Sequence, residues 1–204
     1  MQELQIAIPK ELANMQLPDP DLRDFYRDED DRVFVVNDEI DDSLLALVRM
    51  IIRCNKEDKD FPIEDRRPIK VLIASPGGDI VPLWTTIKAI EISKTPVWTI
   101  NMCYCYSAAA ELLASGKKRF ALPGTQVMIH RGSTYIGGEQ SVVESTQKHF
   151  NGLEKKLTDY LLEHTKIDVK VYKKKASSDM YYDENGALDN GIIDQIVNDF
   201  NAIF

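Results

Sequence analysis

Ser107 follows an apolar run that begins at Val97 and precedes the small residues Ala108-Ala109-Ala110. A hydroxyl placed between a strand and a helix can serve as a nucleophile. The positive end of the helix and nearby amides, such as that of Ala108, act on it, and the alanines leave room for a substrate carbonyl. Taken alone, Ser107 reads first as a helix cap, a common role for serine. His130 ends the apolar stretch Val127-Met128-Ile129, close to Gly132. An imidazole there can work as a general base, although a single histidine is more often structural. His149 and His164 fall in a long amphipathic segment where surface or packing roles suffice. A serine–histidine pair gains from a carboxylate that fixes the imidazole tautomer. Asp168, Asp179, Asp183 and Asp194 all stand downstream, and spacing does not choose among them. Ser75-Pro76-Gly77-Gly78 is a turn whose glycines let backbone approach a ligand and offer amides to a developing oxyanion. An ordinary turn would use the same residues.

These groups need a scaffold that collects strand ends, and the patterning predicts one. Arg32 to Val36 reads as a short strand, and Asp41 or Asp42 can cap a helix striped by Leu45, Val48 and Ile52. A charged loop spans about Asn55 to Pro68. A rhythm of strand, turn and helix follows. Ile69–Ala74 is a strand, Val81, Trp84, Ile87 and Ile90 mark one helix face, and Val97–Met102 is the next strand. A helix after Ser107 carries Ala109, Leu112 and Leu113, with Gly116 as its terminal cap. Gln126–His130 is a further strand. This alternation implies an α/β architecture with parallel pairing. The longest helix is expected from about Glu139 to His164, striped by Val143, Thr146, Phe150, Leu153, Leu157 and Tyr160. Ser133 to Ile136, within Gly132 to Gly138, reads as an exposed strand. Glu184–Asp189 is a brief helix, and Ile192 to Val197 closes the domain.

With 204 residues, 44% of them hydrophobic, the chain can bury a core without cross-links or metals. A formal charge of −8 disfavours a general nucleic-acid binder. Lys170, Lys173, Lys174 and Lys175 read as a solvated helix face. Cys54, Cys103 and Cys105 lack the pairing expected of a disulfide framework or a zinc site. Cys103 and Cys105 are expected as buried thiols, and this usage suits a reducing compartment. Residues 1–31 read as a polar N-terminal arm without a secretory pattern, and residues 32–204 as the folded domain. Val97 to Ala114, the most apolar window, contains Asn101, Ser107 and Glu111, so a buried strand feeding a buried helix is expected rather than a membrane span. The expectation is a soluble cytoplasmic protein with no membrane contact and no nucleic acid.

Ser75-Pro76-Gly77-Gly78, the run Ser107 to Gly116, Arg119-Phe120-Ala121-Leu122-Pro123 and Met128-Ile129-His130, in this order, resemble the proteolytic subunit (ClpP) family of the Clp proteases. The similarity continues through His164-Thr165, Asp179 and Gly191-Ile192-Ile193-Asp194, and covers about Arg32 to Val197. The resemblance implies a serine endopeptidase with a triad of Ser107, His130 and Asp179, and it assigns the oxyanion hole to the amides of Gly78 and Ala108. It implies the ClpP/crotonase fold, a right-handed spiral of ββα units with a protruding handle helix. It also implies homo-oligomeric heptameric rings, stacked as a tetradecamer, acting on unfolded polypeptide. No cofactor is implied; ATP would act only through an AAA+ unfoldase partner, since the chain carries no Walker-type loop. Lys70 and Leu72 stand where the family usually has tyrosines that dock this ATPase, and these two positions speak against a standard partner. Tyr104, Cys105 and Tyr106 replace the small residues usual before the nucleophile, and Glu111 replaces an apolar one. Two other readings share parts of this pattern: a catalytically inactive ring subunit, and a crotonase-like acyl-CoA enzyme.

Overall fold

The computed structural model describes residues 27–132, 137–175 and 178–204. The exposed strand expected at residues 133–136 and most of the N-terminal arm lie outside the described residues. Contacts divide the chain into Met1–Asp31, of which residues 27–31 are helical, and Arg32–Phe204.

The second unit is a mixed α/β structure built on a seven-stranded sheet. Strand β1 (Val33–Val36) leads through a 3-10 turn capped by Asp41 into helix α1 (Leu45–Glu57). Strand β2 (Ile69–Ser75), helix α2 (Ile80–Ile92), strand β3 (Val97–Tyr106) and helix α3 (Ala108–Ala114) follow. Strands β4 (Lys118–Ala121) and β5 (Gln126–Ile129) precede the 25-residue helix α4 (Gln140–His164). The chain ends with α5 (Val169–Lys175), β6 (Met180–Asp183), α6 (Glu184–Asp189) and the two-residue β7 (Gln195–Ile196). The order is β1-β2-β3-β4-β7, all parallel, with β5 also parallel to β3 and β6 antiparallel to β5.

Strand β3 forks the sheet. Its first half, Trp98 to Asn101, pairs with β4, and its last three residues, Tyr104 to Tyr106, pair with β5. Asn101 stitches the fork: its side-chain amide donates to the Gln126 carbonyl at 2.9 Å, and its oxygen accepts from the Cys103 amide at 3.2 Å. The expected strand end at Met102 is therefore corrected to Tyr106, because residues beyond Met102 find a second neighbour. The fork also corrects the expectation for Cys103, which is exposed while Cys105 is buried. Cys103 sits where β4 has ended and β5 has not begun.

The main core packs one sheet face against α1, α2, α3 and the C-terminal half of α4, with Ile69, Val71, Ile73, Leu83, Leu112 and Leu161 fully buried. Burying such side chains supplies about 1.5–3 kcal/mol each. Ile100, Phe120, Val197 and Ile203 form a second cluster with Leu72, Trp98 and Met102. At the start of β1, Arg32 adopts φ 57° and its guanidinium is held by both oxygens of Asp58, at 2.7 and 2.8 Å. Thr95 donates to the same carboxylate at 2.8 Å. The four lysines of α5 are exposed, as their spacing predicts, with Tyr172 turned into the core. No helix among the described residues is long and apolar enough to cross a membrane.

Candidate active site

Ser107 links β3 to α3 with φ 54° and ψ −124°, a conformation that side chains other than glycine rarely adopt. Its amide donates to the Met128 carbonyl at 2.8 Å, which extends the β3–β5 pairing by one step and pins the turn. The sharp bend between strand and helix turns the hydroxyl outward, the geometry seen where a nucleophile is presented at the top of a sheet. The hydroxyl makes no cap bond to its helix; Oγ lies 2.7 Å from His130 Nε2.

His130 is the residue after β5, and Asp179 is the residue before β6. Those strands are antiparallel with Ile129 opposite Met180, so the next opposed positions are 130 and 179. The ladder alone makes them neighbours, and His130 Nδ1 lies 3.5 Å from Asp179 Oδ1. Asp179 Oδ2 also accepts from the Tyr181 hydroxyl at 3.4 Å. The other three carboxylates that spacing left open are engaged elsewhere. Asp168 accepts from the amides of Lys170 and Val171, Asp183 accepts from the Gly186 amide, and Asp194 binds Arg119. His149 is exposed on α4, and His164 stacks on Tyr160 with ring centroids 3.9 Å apart. Neither lines the cleft beside Ser107.

The glycine turn lies directly under Ser107. Gly77 has φ 98°, and a β-carbon there would come within 2.6 Å of the Tyr106 carbonyl and 2.8 Å of Ser107 Cβ. Gly78 has φ 149°, and a β-carbon there would strike the Ile40 carbonyl. Ile40 braces the turn from both sides: its amide donates to Gly77 O and its carbonyl accepts from Asp79 N, each at 2.7 Å. The Gly78 amide between them makes no hydrogen bond among the described residues. Ala108 is the first residue of α3, before the first helical hydrogen bond can form. Two backbone N–H groups thus border Ser107 without partners among the described residues.

A cleft of about 270 Å³ opens at this point, lined by Gly78, Ser107, Ala108, Glu111, His130 and Glu154, among others. Burial, reinforced by the charge of Glu154, pushes the Glu111 carboxyl up from 4.5 to about 8. Sequence reasoning singled out Glu111 but missed Glu154. The signal was present in the spacing of Phe150, Glu154 and Leu157, which puts the carboxylate on the inward stripe of α4. It also missed Tyr181 beside Asp179. Among the described residues, no group of His, Cys, Asp and Glu could hold a metal ion.

The order of these motifs extends along nearly the whole chain. The family model described as Clp protease matches residues 25–200, and the chain belongs to the Clp protease family.

Proposed function

We propose that this protein is a serine endopeptidase subunit that cuts unfolded polypeptide through an acyl-enzyme. The observation that carries the reading is the 2.7 Å contact between Ser107 Oγ and His130 Nε2, made by a serine in left-handed backbone geometry. His130 takes the hydroxyl proton as Oγ attacks the scissile carbonyl, and it returns that proton to the leaving amine. Asp179 stabilises the imidazolium; its 3.5 Å separation from Nδ1 tightens to a hydrogen bond when positive charge develops. The amides of Gly78 and Ala108 receive the oxyanion, each contributing about 2.7–4 kcal/mol to the transition state. Water then attacks the ester with His130 as base.

Family membership supports a ring-shaped homo-oligomer, and we read the fold as the family's spiral with α4 as the handle. The N-terminal half of α4 fits that role, since its stripe is only half-buried and Val142 is 51% exposed. An AAA+ unfoldase would feed the chamber. Lys70 stacks over the Phe204 ring at 4.4 Å, and Leu72 packs on the second apolar cluster, so this face is already occupied by the subunit's own C-terminal residues. The site of action in this reading is the cytoplasm.

The test is hydrolysis of a fluorogenic peptide and of an unfolded protein by the purified assembly. Ser107→Ala should abolish both. Asp179→Asn should lower turnover by roughly 10⁴-fold through the wrong imidazole tautomer. Full turnover in the Ser107→Ala protein would end the reading.

A further inference from the structure

The cleft beside Ser107 has two kinds of wall. Ile80, Phe150 and Leu157 line it with apolar surface, while Glu111 and Glu154 bring carboxylates into it. Glu111 stands four residues after Ser107, so it leaves α3 on the side that faces the nucleophile. Ala108 lines the cleft together with Ser107 and Glu111, and its small side chain leaves room between the hydroxyl and the carboxyl. Glu111 has no hydrogen-bond or ion-pair partner among the described residues, and its oxygens are not sealed from the cleft. Among the described residues Glu154 pairs with Arg131 at 3.6 Å, whose side chain is 73% exposed. Tyr172 of α5 also feels both carboxylates. Asp79, Gln147 and Asn151 also line the cleft, so its wall is mixed, with acidic and amide groups beside the apolar side chains.

Such a cavity suits one class of side chain: a long apolar stem carrying a terminal cation. The stem packs on Leu157, Ile80 and Phe150, as lysine and arginine stems do on apolar surfaces. The head meets a carboxyl that otherwise lacks a partner. We propose that Glu111, supported by Glu154, makes this cleft selective for substrates with arginine or lysine at the residue preceding the scissile bond. Without a cation, burial and Glu154 hold the Glu111 carboxyl up at about 8; a guanidinium offsets both effects and lets it ionise. A carboxylate at the inner end of a hydrolase pocket is an established way to set this preference.

The inference rests on the peptidase reading, and the experiment separates the two. Fluorogenic peptides identical except for Arg, Lys, Leu or Asp before the cleaved bond are compared by kcat/KM with wild type, Glu111→Leu and Glu111→Gln. Wild type should favour Arg over Leu by about 10–100-fold, the worth of one charge-assisted bond. Glu111→Leu should reverse the order of kcat/KM and Glu111→Gln should flatten it. Equal use of Arg and Leu peptides by wild type, or an Arg preference that survives in Glu111→Leu, overturns the inference while leaving the peptidase intact. If no peptide is cut, the peptidase reading fails. Binding of amidated peptides ending in Arg or Leu, followed by fluorescence anisotropy, then decides selectivity by itself: tighter binding of the Arg peptide that is lost in Glu111→Leu supports it, and equal binding refutes it.

Discussion

Glu111 makes stability depend on pH in a direction opposite to that of most carboxylates. In the fold its carboxyl is pushed from 4.5 to about 8, chiefly by burial and secondarily by Glu154. Between those values the unfolded chain has released the proton and the folded chain retains it. The folded state binds more protons, so stability falls as pH rises through this window. The loss is absent below 4.5 and complete above about 8. A fully shielded carboxyl with that displacement would cost about 5 kcal/mol. Water reaches Glu111 through the cleft mouth, and Glu154, Arg131, Tyr172 and His130 surround the same space, so we expect about 2–3 kcal/mol. Glu111→Gln keeps the shape and cannot ionise. Thermal midpoints of the two proteins, at equal subunit concentration, should nearly coincide at pH 5 and diverge by about 4–12 °C at pH 9, the variant being higher. Glu154→Gln should recover a smaller part. A difference that stays constant from pH 5 to 9, or a variant that is less stable at pH 9, would refute the reasoning.

The turn at Ser107 and the ion pair at Arg32 make two further expectations. Ser107 at φ 54° holds strain of about 1–3 kcal/mol, so Ser107→Gly should be inactive yet raise stability by about 1 kcal/mol after glycine's added chain entropy; denaturant midpoints check this, and a destabilised variant would argue against strain. Arg32→Met leaves the Asp58 carboxylate, 8% exposed, without its counter-charge, which should cost about 3–5 kcal/mol. Hydrogen bonding to Arg32 lowers the Asp58 carboxyl below its ordinary value. The contribution of the pair is therefore present above that ordinary value and lost as pH falls through the lowered one. An Arg32→Met penalty that is the same at pH 3 and pH 7 would contradict it.

The sequence made the parallel frame legible where strands were short apolar runs closed by breakers. Ile69–Ala74 before Ser75-Pro76-Gly77-Gly78 is one such run, and the run from Val97 is another. Strand β4 escaped notice because it is four residues long and opens on two charges, Lys118 and Arg119, of which Arg119 folds onto Asp194. Strand β6 escaped because Met180-Tyr181-Tyr182-Asp183 has no strand-like alternation of its own; pairing with β5 makes it one. That pairing, settled only by tertiary structure, brings Asp179 to His130. Two of the rival aspartates carried a local signal, since Asp168 and Asp183 each precede a short helix and cap it. Asp194 carried none. The cleft chemistry was half legible: Glu111 stood out in an apolar run, but its partner Glu154 lies on a helix 43 residues away, and its approach depends on how α4 docks.

The claim on which the rest depends is that Ser107 is an activated nucleophile. A fluorophosphonate probe followed by intact-mass and peptide mass measurement tests it directly. One adduct per subunit, mapped to Ser107, absent in Ser107→Ala and strongly slowed in His130→Ala, is the predicted result. An unlabelled wild-type assembly, or labelling that persists in Ser107→Ala, would contradict it.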